Sequence, residues 1–119
     1  MVEKKFVNLT PHEIVIYDQT GQNIILRIPP SGMVCRVSTI SKIVSEVNGI
    51  PIRKTEYGDV QDLPEPQSDT VYIVSTLVLI ALKDKGIDRP DVVATDTTSD
   101  SVIRDKDGKI IRIRYFQVL

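Results

Sequence analysis

The 119-residue chain contains no tryptophan, one cysteine, one histidine and two phenylalanines. A single cysteine excludes an intrachain disulfide and with it the stapled folds of secreted proteins, so the cytoplasm is the expected compartment. One histidine and one cysteine are too few for a zinc site of thiolates and imidazoles, and no resident metal or cofactor is expected. With so few aromatics the core must be built from Val, Ile and Leu, which favours strands. The longest apolar run, Leu77 to Leu82, covers six residues. A membrane span needs about 20, so none is expected. Met1-Val2-Glu3-Lys4-Lys5 is charged and no apolar leader core follows it. Neither sign of charge dominates, with 15 basic and 16 acidic residues, which removes the broad positive surface that nonspecific nucleic-acid binding requires. A Walker loop, a Gly-rich dinucleotide fingerprint and a Gly-x-Ser-x-Gly elbow are also missing.

What is present reads as one domain over residues 1–119, long enough to close a core. Strands are predicted at Lys5 to Leu9, Glu13 to Asp18, Asn23 to Ile28 and Met33 to Ser38. Pro11 ends the first, a Gln-Thr-Gly-Gln turn joins the second and third, and Pro29-Pro30-Ser31-Gly32 ends the third. Ile40 to Val47 and Ile50 to Tyr57 flank Asn48-Gly49, the pair that supplies both positive-φ positions of a type I′ hairpin turn. A helix from Ser41 to Val47 is the alternative there, and it would end awkwardly at Asn48-Gly49. Gly58 to Ser68 reads as a loop stiffened by Pro64 and Pro66. Asp107-Gly108 signals a last hairpin, Ser101 to Arg104 with Lys109 to Val118.

Residues 69–96 form the expected centre of the fold. Thr70 to Val74 is an apolar strand, Ser75 can cap the next helix through its hydroxyl, and Thr76 to Lys85 is apolar on nearly every side. Such a helix is buried or covered by a partner chain. Gly86 stands where a left-handed C-cap belongs, and Asp91 to Thr95 is the next strand. The connection is long enough to link parallel strands, but the sequence leaves their direction open. The expected class is α+β, dominated by antiparallel hairpins, with one buried helix in a strand-helix-strand unit.

Several segments, in order along nearly the whole chain, resemble a family of short uncharacterised proteins of bacteria, archaea and their phages. They are Asn8-Leu9-Thr10-Pro11-His12, Ile28-Pro29-Pro30-Ser31-Gly32, Leu63-Pro64-Glu65-Pro66, Tyr72-Ile73-Val74-Ser75, Arg89-Pro90-Asp91 and Val102-Ile103-Arg104-Asp105 with Gly108. The family has no assigned activity, so the resemblance implies no catalytic residue. It implies a cytoplasmic protein associated with mobile elements.

Three places can carry chemistry. If the strands on either side of the helix run parallel, Ser75 and Thr76 share a carboxyl edge with Asp96 and Thr97. Ligands of crossover units sit at such edges. A helix amino terminus suits phosphate or carboxylate, with Asp96 and Asp100 available to hold Mg²⁺ against a phosphate. His12 is the candidate general base, since an imidazole ordinarily titrates near neutrality, but no nucleophile stands beside it in sequence. Arg112 and Arg114, followed by Phe116, are predicted on one face of the last strand, where single-stranded nucleic acid could be held by phosphate contacts and stacking. Against each stands a plain structural role: a helix cap and solvated turn, a turn histidine, and a paired arginine face. The expected function is a small noncatalytic binding or interaction module that self-associates. An enzyme acting on a phosphate or nucleotide ligand at the Ser75/Asp96 end is the alternative, and nucleic-acid binding through the last strand is the third reading.

Overall fold

Ile73 marks the place where the layers meet. In the computed structural model, which describes residues 4–119, it is fully buried in the middle of a central sheet. Met1 to Glu3, three of the five residues of the charged start read as incompatible with a leader, lie outside the described residues. The elements are β1 (Lys5–Asn8), β2 (Ile14–Tyr17), β3 (Ile24–Ile28), β4 (Arg36–Val47), β5 (Ile50–Gln61), β6 (Thr70–Val74), α1 (Thr76–Asp84), β7 (Val92–Thr95), β8 (Val102–Arg104), β9 (Ile110–Ile113) and β10 (Phe116–Gln117). The fold is α+β and mostly β, and its sheets contain antiparallel hairpins.

Strand alternation explains the layering. In the central sheet, ordered β1-β6-β7-β10, successive side chains of β6 point to opposite faces. Tyr72 and Val74 point with Val92 and Ala94 into a core shared with Val78, Leu79 and Leu82 of α1. Ile73 points the other way, with Val93 and Phe6 beside it, against Ile14, Ile28 and Ile113 of a second sheet ordered β3-β2-β9-β8. A sheet covered on both faces needs apolar residues at consecutive positions, and Tyr72-Ile73-Val74 supplies them.

The strands that flank α1 are parallel: Tyr72 pairs with Val92, Ile73 with Val93 and Val74 with Ala94. Their carboxyl ends therefore lie side by side, as the reading of the Ser75 edge requires. The helix begins at Ser75, whose Oγ accepts from the Val78 amide at 3.4 Å. It stops one residue before its predicted end, with Lys85 as the C-cap and Gly86 at φ 69°. No helix among the described residues is long and apolar enough to cross a membrane.

Three boundaries differ from those predicted. The segments read as separate strands at Met33 to Ser38 and Ile40 to Val47 form one 12-residue strand beginning at Arg36. Its partner runs on to Gln61, past the expected loop start at Gly58. Register shifts between Val37 and Thr39 and between Ile43 and Ser45 absorb the irregular pattern, so pairing begun at the Asn48-Gly49 turn continues through residues of poor strand preference. The turn has its expected geometry, with Asn48 at φ 51° and Gly49 at φ 79°, and the helical alternative at Ser41 is not taken. Finally, Lys109 to Val118 is not one strand. It breaks at Arg114-Tyr115 and passes from the second sheet to the first, where Phe116 pairs with Thr95. Buried Ser101 makes the crossing feasible: its carbonyl accepts from the Arg114 amide at 2.8 Å and its hydroxyl from the Tyr115 amide at 3.2 Å.

Candidate functional site

The site is organised by Asn8, the last residue of β1. On the face turned toward the second sheet it is 1% exposed. Its Nδ2 donates to the carbonyls of His12 (2.8 Å) and Ile28 (3.1 Å). Its Oδ1 accepts from the Thr10 amide (2.9 Å) and hydroxyl (2.7 Å). An asparagine amide has two N–H donors and one oxygen with two lone pairs, so every valence is used. The chain after β1 folds back over this side chain, and Pro11, which has no N–H to donate to a ladder, keeps the strand from running on. The result is a rigid turn, residues 10–12, facing the ends of β6 and β7.

Between that turn and the strand ends lies a cleft of about 390 Å³. One wall is Thr10 to Val15, and Val74, Ser75 and Thr76 form the second. Thr95, Thr97 and the β9 residues Ile110, Arg112 and Ile113 complete it. Five residues singled out in the sequence meet here: His12, Ser75, Thr76, Thr97 and Arg112. His12, the adjacent Ser75 and Thr76, and Thr97 come from three distant parts of the chain, brought together by the parallel β1–β6–β7 order.

Their local chemistry is specific. Ser75 is committed to capping α1. The Thr76 hydroxyl accepts from Gln117 Nε2 at 3.4 Å, and the same amide donates to the Thr95 carbonyl at 3.1 Å. His12 is exposed on the rim, held through its backbone rather than its ring. Glu13, the carboxylate in the wall, pairs with Arg27 at 3.2 Å. Arg112 is half-buried among apolar neighbours. None of the ion pairs among the described residues uses it.

Two other sequence candidates are placed elsewhere. Asp96 does not line the cleft, although its neighbours Thr95 and Thr97 do. Its Oδ1 instead accepts from the Thr98 amide (2.9 Å) and hydroxyl (2.7 Å). The Thr98 hydroxyl hydrogen bond, with the backbone N–H behind it, holds the Asp96 carboxyl below the usual carboxylate range. Asp100 lies 2.8 Å from the same hydroxyl, so the two carboxylates read as Mg²⁺ ligands are engaged in the loop's own turn. Among the described residues no group of three or more His, Cys, Asp or Glu side chains is placed to hold a metal ion.

Arg114 is the other. It follows the end of β9, so it does not continue the face of Arg112 as a single strand would have arranged. Its guanidinium lies over the Tyr17 ring, 5.1 Å from the centroid, and Nη1 donates to the Asp100 carbonyl at 2.8 Å. The expected pair of arginines is thus divided between a cleft wall and a packed aromatic contact.

The residues that sequence reasoning passed over are Asn8 and Gln117. Asn-x-Thr ahead of proline is a recognisable side-chain-to-backbone turn pattern, so Asn8 had a local signal. Gln117 had none, because its partners lie 22 and 41 residues away. No family model, no curated protein and no solved structure matches this chain.

Proposed function

We propose that this protein is a noncatalytic binding module whose cleft takes a small ligand with an apolar body and one carboxylate or phosphate group. The observation that carries the reading is the half-buried Arg112, set in the cleft lining beside Ile14, Val74, Ile110 and Ile113. A cleft of about 390 Å³ suits a small molecule. A guanidinium matches a planar or tetrahedral anion with several fixed donors. The hydroxyl of Thr97 and the rim imidazole of His12 add polar contacts around that anion.

Binding fits this wall better than turnover. Ser75 and Thr76 already hold structural hydrogen bonds, and Glu13 is ion-paired to Arg27. The Cys35 thiol is buried in the α1 core, and burial pushes it up to about 11, so it is protonated at neutral pH.

The test is a titration with inorganic phosphate, short fatty acids and nucleoside monophosphates, followed by amide NMR. A ligand should shift the amides of residues 10, 12, 75, 76 and 112, and Arg112→Met should weaken it about tenfold, the worth of one charge-assisted contact. Equal affinity in Arg112→Met, or silence from every probe at millimolar concentration, defeats the reading. Slow hydrolysis of a phosphate ester that is lost in His12→Ala would instead favour the enzyme alternative.

A further inference from the structure

The β4–β5 hairpin stands apart from the layers just described. A strand of 12 residues is about 40 Å long. The molecule's long axis reaches 53 Å, and its radius of gyration is 16.7 Å, against about 13.5 Å for a compact chain of this length. Only the base is anchored: Val37, Val60 and Leu63 pack against the α1 core. From Ser38 outward every residue of β4 is exposed, as is β5 back to Glu56. Six of these are Ile or Val (Ile40, Ile43, Val44, Val47, Ile50 and Ile52), between 41% and 68% exposed. An isolated two-stranded ribbon is marginal in water, and this one leaves its apolar side chains exposed.

We propose that this arm is a self-association element that pairs with the same arm of a second copy of this chain. Its charge favours that occupant. Residues 36–61 carry four basic and three acidic side chains, and the whole chain is formally −1. Neither figure offers the cation surplus that nucleic acid or an anionic membrane selects, and neither sets two copies against each other.

Register then selects one edge and one alignment. Lys42 and Lys54 are direct cross-strand partners, an unfavourable juxtaposition of like charges. Glu56 lies 3.1 Å from Lys42, and none of the ion pairs among the described residues uses Lys54. Antiparallel pairing of the outer edge of β5 with its own copy, about a twofold axis at Thr55, sets Lys54 opposite Glu56 of the second copy. Symmetry repeats the pair. The alignment covers residues 52–58 and turns two marginal ribbons into one four-stranded sheet. The outer edge of β4 offers no equivalent: opposing Lys42 to Glu46 centres the axis on Val44, where the register shift interrupts the ladder. On β5, Pro51 sits one pair beyond Val47–Ile50 at the turn, so its missing N–H falls on the outer edge and confines pairing to the stretch around Thr55. Seven paired residues alone bury less than the roughly 800 Å² per partner of a stable dimer. The same register sets Ile50 beside Val60 of the second copy, so the apolar tip adds to the buried area at the other hairpin's base.

Sedimentation velocity on the full chain should show a concentration-dependent dimer in the micromolar range. Lys54→Glu and Glu56→Lys alone should each raise the dissociation constant about tenfold or more, and the double variant Lys54→Glu/Glu56→Lys should restore it. Thr55→Pro, which removes the axial N–H donor, should abolish the dimer while leaving the circular dichroism of the α/β body intact. A strictly monomeric chain overturns the proposal. So does a dimer indifferent to both charge reversals, which would be built on another surface, and so does a monomer that adsorbs to phosphatidylserine vesicles through the arm. The cleft plays no part in this proposal, so its ligand test can fail while the arm test succeeds.

Discussion

Asn8→Ala is expected to destabilise the protein by about 3 kcal/mol, measured as a shift in the urea denaturation midpoint at unchanged slope. The substitution removes four hydrogen bonds, takes the side-chain donor from the Ile28 carbonyl and leaves the His12 carbonyl with only the Thr10 hydroxyl at 3.2 Å. A buried polar group stripped of its partner costs about 1–3 kcal/mol, and the loss is not fully additive because the turn can relax toward solvent. Asn8→Asp should be at least as damaging. It retains the acceptor for Thr10 but points a carboxylate oxygen at two carbonyls in a site 1% exposed. Thr10→Val gives the control: it removes one hydroxyl from the same network and should cost about 1 kcal/mol. If Asn8→Ala unfolds no more easily than Thr10→Val, the turn is not held by Asn8 and the cleft wall has another support.

Arg89→Met should cost about 2–3 kcal/mol and should do so in a pH-dependent way. The Arg89 guanidinium is bidentate on Asp91, with both contacts at 2.9 Å, and donates to the Pro64 carbonyl at 2.8 Å. The two side chains are 14% and 16% exposed, so water screens the pair far less than a surface bridge. Together with Tyr72, whose hydroxyl donates to the Glu65 carbonyl, Arg89 fastens the proline-containing loop to the start of β7. The Arg89 hydrogen bonds, opposed by burial, hold the Asp91 carboxyl below the ordinary aspartate range. A carboxyl depressed in the folded state contributes its full stabilisation above its unfolded pKa and loses it as pH falls through the folded one. The gap between Arg89→Met and the parent chain should therefore be constant near neutrality and close in acid. A gap that stays constant down to pH 2 would mean that packing of the long side chain, not the ion pair, carries the effect. Asp18 adds to the acid sensitivity of the parent. Hydrogen bonds from Thr20 and then Asn23 bring its carboxyl to about 2, so the β2–β3 turn loses these contacts as pH falls through that value.

How much of the candidate site could be read in advance depends on range. Ser75 as a helix cap, Gly86 as its stop and Asn48-Gly49 as a hairpin turn each depend on neighbours within about four positions, and each is found as expected. The assembly of His12, Ser75, Thr76, Thr97 and Arg112 around one cleft depends on which strands are neighbours and in which direction they run. Apolar runs such as Thr70 to Val74 and Asp91 to Thr95 do not encode direction. The same limit explains Asp96 and Arg114. Alternation beyond β7 turns Asp96 away from the cleft while Thr95 and Thr97 line it. A pattern of alternating residues from Lys109 to Val118 gives no sign that the chain changes sheets at Arg114-Tyr115, because the cause, buried Ser101, lies on another segment.

By itself, then, the sequence determined the α+β class, the one helix with its Ser75 cap and Gly86 stop, and the turns, through steric and capping preferences that act over a few residues. Tertiary structure alone decided the parallel pairing of β6 with β7, the fusion of four predicted pieces into one long projecting arm, and the closing of a cleft around Arg112. Those outcomes rest on contacts between residues far apart in the chain. Their energies come from burying surfaces and satisfying polar groups that no local pattern brings together, as Asn8 shows by joining β1, His12 and the end of β3 through a single side chain.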